Sequence, residues 1–394
     1  MQRSAIPTLR ASRWRATLFL AAILFASACS ENGEVTAPPQ IMLGTVTNVD
    51  TGDPVVGAQV YVGTALSYTD VTGRFAFGGL PAGPSKLRVV ATGYEGFETD
   101  ITVPAGNFNQ NVKVTRIETF DFENFSVHVP KTVSRVQGVL IALGGPNTRG
   151  FASDIPFGAP VPAAEAALKT MGQELRSLAA SRKLAIVGTS LAAMANGTAS
   201  DQLIRLAVEK AAALSGRPEL TSAPFLLYGI SGGGRQASGF MARNPERVAG
   251  LFLKAPASIE PISTGPAVGV PTYVVLAELD AFVNNASLRA SFEANRRAGG
   301  LWALAMEPGV VHHSLSPAQT RLIINWMSEV LAGRLPAEGG PPLEMLESNG
   351  WLGDPVTGEV APSREYTGDR SSTSWLPSEP RAREWKTFRA GAGG

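Results

Sequence analysis

The chain has few of the residues that build metal and redox sites. Cysteine occurs once, at Cys29, which excludes intrachain disulfides and any multi-cysteine zinc or iron–sulfur centre. Histidine occurs only three times, at His128, His312 and His313. Acidic residues are missing before Glu31, whereas four arginines (Arg3, Arg10, Arg13, Arg15) lie there. Setting those four aside leaves 30 basic residues against 33 acidic ones. Without a basic surplus, the chain lacks the electrostatic footprint of a nucleic-acid binder. The composition, 44% apolar and 17% charged over 394 residues, excludes a disordered polymer, a collagen and a coiled coil. It leaves room for two or three domains with ample cores.

Residues 16–28 (ATLFLAAILFASA) form an apolar run of 13 residues, too short to span a bilayer and of the length of a secretory h-region. Ala26, Ser27 and Ala28 are small, and Cys29 follows at once. This leader resembles a bacterial lipoprotein signal. The resemblance implies cleavage after Ala28, lipidation of Cys29 and a polar tether over residues 29–40. The third residue before the cysteine is Ala26, where such signals favour leucine. An ordinary signal peptide with Cys29 incidental is the other reading. Stable anchoring takes two acyl signals, and a lipidated N-terminal cysteine supplies them. The expected location is the bacterial cell envelope, as an outer-membrane lipoprotein facing the periplasm or the surface. The only membrane contact expected is the anchor at Cys29.

From Ile41 the pattern turns to period two. IMLGTVTNV, AQVYVG, GRFAFGGL, KLRVVATG and ITVPAG read as short strands separated by Asp-, Gly- and Pro-rich turns. A small antiparallel sandwich over residues 41–117 is the expectation. Asp50 and Asp70 lie in turns, where carboxylates accept backbone N–H groups. Asp50, Asp53 and Asp70 do not follow the spacing of a calcium loop. The run Gly44-x-Val46, Thr51-Gly52-x-Pro54, Gly57-Ala58-x-Val60, Thr69-Asp70-x-x-Gly73-x-Phe75 and Gly93-Tyr94 resembles the carboxypeptidase regulatory-like, transthyretin-like domain. That resemblance implies a structural, spacer or adhesive role.

Beyond Asn124 short apolar strands alternate with helical stretches. VQGVLIALGG, KLAIVGT, PFLLYGI, VAGLFLKAP, PTYVVLAELD and LWALAME are separated by helices over 163–181, 201–215, 232–244 and 287–298. A last helix over 317–332 opens on Ser316-Pro317, with Gln319 placed to complete a capping box. Such a pattern predicts a mostly parallel sheet covered on both faces, with functional residues just beyond the strand C-termini.

PFLLYGI runs into Gly229-Ile230-Ser231-Gly232-Gly233 and then a helix. A G-x-S-x-G match alone is weak; a strand before and a helix after raise it to a candidate nucleophile elbow. Gly-Lys-Ser/Thr does not follow, which excludes a Walker A loop. Asp280 follows a later strand. His312 and His313 follow the last one, in the chain order serine, acid, histidine. Glu278, assigned to the strand interior, is the rival acid. His128, on an early strand, reads as a packing or surface residue.

Residues 120–335 resemble the α/β-hydrolase superfamily and, within it, bacterial esterases and depolymerases with a P-G-x-x-H loop. Pro308-Gly309-Val310-Val311-His312 fits that spacing, so the resemblance favours His312 over His313 as base. It implies an oxyanion hole from the backbone N–H of Gly232 and of Gly145 or Asn147, since Pro146 has none. Leu143-Gly144-Gly145 stands where many esterases begin with His-Gly-Gly. The chain thus reads as a small all-β transthyretin-like sandwich followed by an α/β-hydrolase domain with a mostly parallel central sheet.

The function this implies is cleavage of a small or polymeric carboxylic ester through Ser231, His312 and Asp280, with no cofactor and no metal. A non-catalytic envelope binding or adhesion lipoprotein, using the fold as scaffold, is the alternative. Only about 15 residues separate Pro256 from Pro271, too few for a lid, which favours an open cleft. Residues 336–394 look like a Pro- and Gly-rich tail. They hold Trp351, Trp375 and Trp385, three of the six tryptophans, and this predicts packing on the hydrolase domain.

Overall fold

The computed structural model describes residues 40–122, 125–144, 148–153, 162–189, 197–262 and 265–391. The leader, Cys29, Gly145, Pro146 and Asn147 lie outside them.

The first eight strands are β1 (Ile41–Asn48), β2 (Gln59–Val62), β3 (Ala65–Tyr68), β4 (Arg74–Gly78), β5 (Gly83–Val90), β6 (Phe97–Val103), β7 (Phe108–Asn109) and β8 (Val112–Val114). Two four-stranded sheets result: β4-β1-β7 with β8 also on β1, and β3-β2-β5-β6. Alternation sends Met42, Val46, Val60, Phe75, Leu87 and Val89 into one core between them. The sandwich is not wholly antiparallel, because β1 pairs with β7 and β8 in parallel. Asp70 Oδ1 accepts the N–H groups of Thr72 (2.8 Å) and Arg74 (2.9 Å), the turn role read for it.

The second half comprises β9 (Thr119–Phe122), β10 (Phe125–His128), β11 (Gly138–Leu143), α1 (Arg149–Ala152), α2 (Pro162–Arg182), β12 (Leu184–Thr189), α3 (Thr198–Ser215), β13 (Phe225–Ile230), α4 (Gly232–Arg243), β14 (Val248–Lys254), β15 (Thr272–Ala277), α5 (Asn285–Arg297), β16 (Trp302–Glu307) and α6 (Pro317–Arg334). One eight-stranded sheet runs β16-β15-β14-β13-β11-β12-β10-β9. It is parallel from β12 through β16, and β10 runs antiparallel to both its neighbours. Successive residues of each buried strand serve opposite faces. Ile141, Leu227, Leu253 and Leu276 join the core under α3, α4 and α5. Leu140, Leu226, Phe252 and Tyr273 join the core under α2 and α6. The strands are therefore apolar throughout, as a sheet covered on both sides requires.

Ser316 caps α6 by accepting the Gln319 N–H at 2.9 Å. The reciprocal bond of the capping box does not form, because Gln319 Oε1 is buried without a partner. The Ser316 hydroxyl instead donates to Glu307.

Residues 336–391 add β17 (Trp351–Gly353), β18 (Val360–Pro362), β19 (Ser374–Leu376) and α7 (Glu379–Arg389). This segment closes the β16 edge. Leu304 N–H donates to Ser374 Oγ (2.9 Å), and the Ser374 hydroxyl donates to Leu304 O (3.0 Å). Trp385 is fully buried and donates its Nε1–H to the same carbonyl at 2.7 Å. An exposed edge strand is an aggregation liability, and here it is covered.

The sandwich docks on α2. Arg88 pairs with Glu174, Gln173 donates to Thr92 Oγ1 at 2.9 Å, and Gly96 lies flat against Ser177. Buried Glu95 receives the Lys131 N–H and the Thr132 hydroxyl.

Candidate active site

Three of the parallel strands end at the residues singled out from the sequence. Ser231 occupies the corner between β13 and α4 with φ 53° and ψ −120°. Positive φ is strained for a residue with a side chain and persists where surroundings enforce it. They do so here. The Ser231 N–H donates to Lys254 O (3.0 Å), and its carbonyl accepts from Gly234 (3.0 Å) and Ala257 (2.8 Å). The flanking glycines are steric necessities. A Cβ on Gly229 would lie 2.7 Å from Gly234 Cα, and one on Gly233 would lie 2.2 Å from Leu143 O. Although Ser231 stands at the helix N-cap position, its side chain makes no capping bond.

β15 ends at Ala277, so Glu278 lies in the turn beyond it and not within the strand. There it is exposed and its Oε2 accepts the Gly309 N–H at 2.7 Å, at the start of the histidine loop. Asp280 closes the same turn. Its Oδ1 accepts the N–H groups of Phe282 (2.8 Å) and Val283 (3.2 Å). Its Oδ2 is 2.7 Å from His312 Nδ1, and the Asp280 side chain is 0% exposed. Burial pushes the Asp280 pKa up. The bonds from His312, Phe282 and Val283 outweigh it and hold the carboxyl below its ordinary value.

The loop after β16 turns at Gly309, whose φ of 67° suits glycine. The loop buries His312 (3% exposed) and leaves the His313 ring exposed, 4.8 Å from it edge-on. Phe282, largely exposed, stands 5.1 Å from one imidazole and 5.3 Å from the other. Leu279 and Val311 are also exposed on these two loops, giving the site an apolar rim.

Gly232 is the first residue of α4, where main-chain N–H groups have no partner inside the helix. Gly144, before the undescribed residues 145–147, packs against Ile230, so β11 ends beside the serine corner. His128 lies away from this group, buried on β10, with Nδ1 3.2 Å from Glu118 O and Nε2 unpartnered.

Sequence reasoning missed Lys254 and Glu307, both buried near the histidine loop. Lys254 Nζ donates to His312 O at 2.8 Å. A charged residue ending an otherwise apolar parallel strand was the available signal for each.

Residues 41–115 match the family model of the carboxypeptidase regulatory-like domain. No curated protein matches the chain in sequence. Solved structures similar to the second half include fungal esterases from Rhizomucor miehei (17% identity, 55% of this chain and 82% of that one, TM-score 0.37). A thermostable esterase is 13% identical over 68% of this chain and 91% of its own, with TM-score 0.37. A DUF3823 family protein from Bacteroides ovatus is 19% identical over 23% of this chain, with TM-score 0.17. This chain covers 54% of that protein, about half its length.

Proposed function

We propose that this chain, a carboxypeptidase regulatory-like sandwich followed by an α/β-hydrolase fold, is a serine hydrolase that cleaves carboxylic esters. The observation that carries the reading is the contact of the shielded Asp280 carboxylate with His312, on a loop at the same end of the sheet as the strained Ser231. In this reading His312 takes the Ser231 hydroxyl proton while Asp280 holds the imidazole tautomer and steadies the cation that forms. The serine oxygen attacks the ester carbonyl, and the bond to the leaving alkoxide breaks as His312 returns the proton to it. Water, deprotonated by the same imidazole, then attacks the acyl carbonyl, and the bond to the Ser231 oxygen breaks as His312 returns the proton to it, releasing the acid. Gly232 N–H is one donor to the oxyanion; Gly145 or Asn147 is proposed as the other. His313 is a neighbour of the base, not the base, since the bond to Asp280 belongs to its partner.

Exposed Phe282, Leu279 and Val311 favour an ester with an apolar acyl or aryl group presented at an open cleft. Lipidation of Cys29 would hold the enzyme at the cell envelope. Phase partitioning of the native protein into detergent, lost in Cys29→Ala, tests that placement. Turnover of short p-nitrophenyl esters, abolished by Ser231→Ala, tests the chemistry. A scaffold without chemistry would show no turnover in either form.

A further inference from the structure

Lys254 ends β14, the strand next to the one that carries the serine corner. Two of its groups point at two different parts of the site. Its main-chain carbonyl accepts the Ser231 N–H at 3.0 Å, fixing the backbone of the corner. Its side chain, 5% exposed as a residue, runs beneath the histidine loop and donates from Nζ to His312 O at 2.8 Å. Glu307 is buried at the end of β16 and attracts the lysine cation, as Asp280 does. A buried ammonium is costly to desolvate, and an aliphatic side chain of the same volume would pack there without that cost. Retaining the charge calls for a role that packing does not supply.

Among the described residues, the loop is otherwise held at its margins and, through the His312 ring, at Asp280. Gly309 N–H reaches Glu278, and Leu279 N–H reaches Val310 O at 2.9 Å. The Ser316 hydroxyl reaches Glu307. Between them, Val311 and Ser314 bond to each other across the turn. Lys254 thus ties the sheet to the main chain of His312, whose ring Asp280 holds.

We infer that Lys254 is a positioning residue that sets the distance between Ser231 and His312, holding the nucleophile through its backbone and the base through its side chain. The inference rests on the ester-hydrolase reading, because it assigns the two ends their roles from that reading. A displacement of the imidazole of about 1 Å is enough to cost roughly 100-fold in rate. Burial also lowers the lysine pKa to about 8, against the attraction of Glu307 and Asp280, so the tie weakens in alkaline solution as its charge is lost.

The test compares the wild type, Lys254→Met and His312→Ala. Lys254→Met conserves volume and leaves the Ser231 bond to the main chain intact, but removes the tie to the loop together with the cation that faces Glu307. Turnover of p-nitrophenyl acetate should show kcat lowered about 10- to 100-fold with KM within about twofold. The midpoint of urea unfolding should fall, because buried Glu307 loses its counter-charge and the His312 carbonyl its donor. The proton shared by His312 and Asp280 gives a far-downfield NMR line, identified by its absence in His312→Ala. That line should shift or broaden in Lys254→Met. A kcat within threefold of wild type, or a line that does not move, overturns the inference. Lys254→Gln, with a shorter neutral donor, replaces the methionine variant if the latter fails to fold. Were the wild type itself neither to turn over ester nor to react with a fluorophosphonate, the ester-hydrolase reading would fail, and the NMR line alone would then decide the positioning role.

Discussion

His312 Nδ1 lies 2.7 Å from Asp280 Oδ2, and the carboxylate that holds it has no exposed side-chain surface. A hydrogen bond to an ionised, dehydrated acceptor is among the stronger ones in proteins and fixes which ring nitrogen faces away. His313, one residue on, is exposed.

The two histidines should therefore part sharply on substitution. His312→Ala is expected to lower kcat/KM for p-nitrophenyl esters by a factor on the order of 10³ or more, and Asp280→Asn by about 10⁴. His313→Ala should stay within about fivefold, as expected of a group outside the proton relay. Steady-state kinetics on the purified variants read all three. Equal losses at 312 and 313 would remove the distinction.

His128 should mark acid stability. Burial lowers its pKa from 6.5 to about 4, helped by the nearby Arg176 and only partly offset by the Glu118 carbonyl. The folded value lies below the unfolded one. As pH falls from 6.5 to 4 the unfolded chain binds a proton that the folded chain refuses, and stability drops through that window. The total is about 3 kcal/mol. Urea unfolding at pH 7 and pH 4.5 should show a smaller acid loss in His128→Asn than in the wild type.

Trp385 locks the C-terminal segment to the sheet. It is 0% exposed, packs in the core beneath α6 and donates to Leu304 O at 2.7 Å. Trp385→Ala should cost about 3–5 kcal/mol in chemical denaturation. Ser374→Ala should cost less, because it removes two hydrogen bonds and little volume.

Gly96 is where the sandwich meets α2. A Cβ there would lie 2.2 Å from Ser177 Cα, backbone that cannot yield by a side-chain rotation. Gly96→Ala should loosen the docking while both halves stay folded. The connection over residues 115–118 should then be cut faster by a protease at native temperature, with turnover of p-nitrophenyl esters reduced less than the docking is.

Local signals told more in some places than in others. The β13–Ser231–α4 corner was legible because a continuous apolar strand, two obligatory glycines and a helix all state one geometry. The meeting of Asp280 with His312 was legible from chain order and from the scarcity of histidine. β3 was not, since Ala65–Tyr68 is exposed or half-exposed along its whole length and so carries little apolar alternation. β8 has only three residues, and its parallel pairing with β1 depends on a long-range return of the chain. Glu278 was drawn into the strand by the run VVLAE, whereas the ladder stops at Ala277. Lys254 gave no local hint of its partner, because His312 is 58 residues away and meets it only when β14, β15 and β16 lie side by side.

The most direct test is covalent labelling with a fluorophosphonate, followed by peptide mass mapping. The account predicts one adduct, on the Ser231 peptide, abolished by Ser231→Ala and slowed at least about 100-fold by His312→Ala. An adduct on another serine, or equal labelling of wild type and Ser231→Ala, would contradict it.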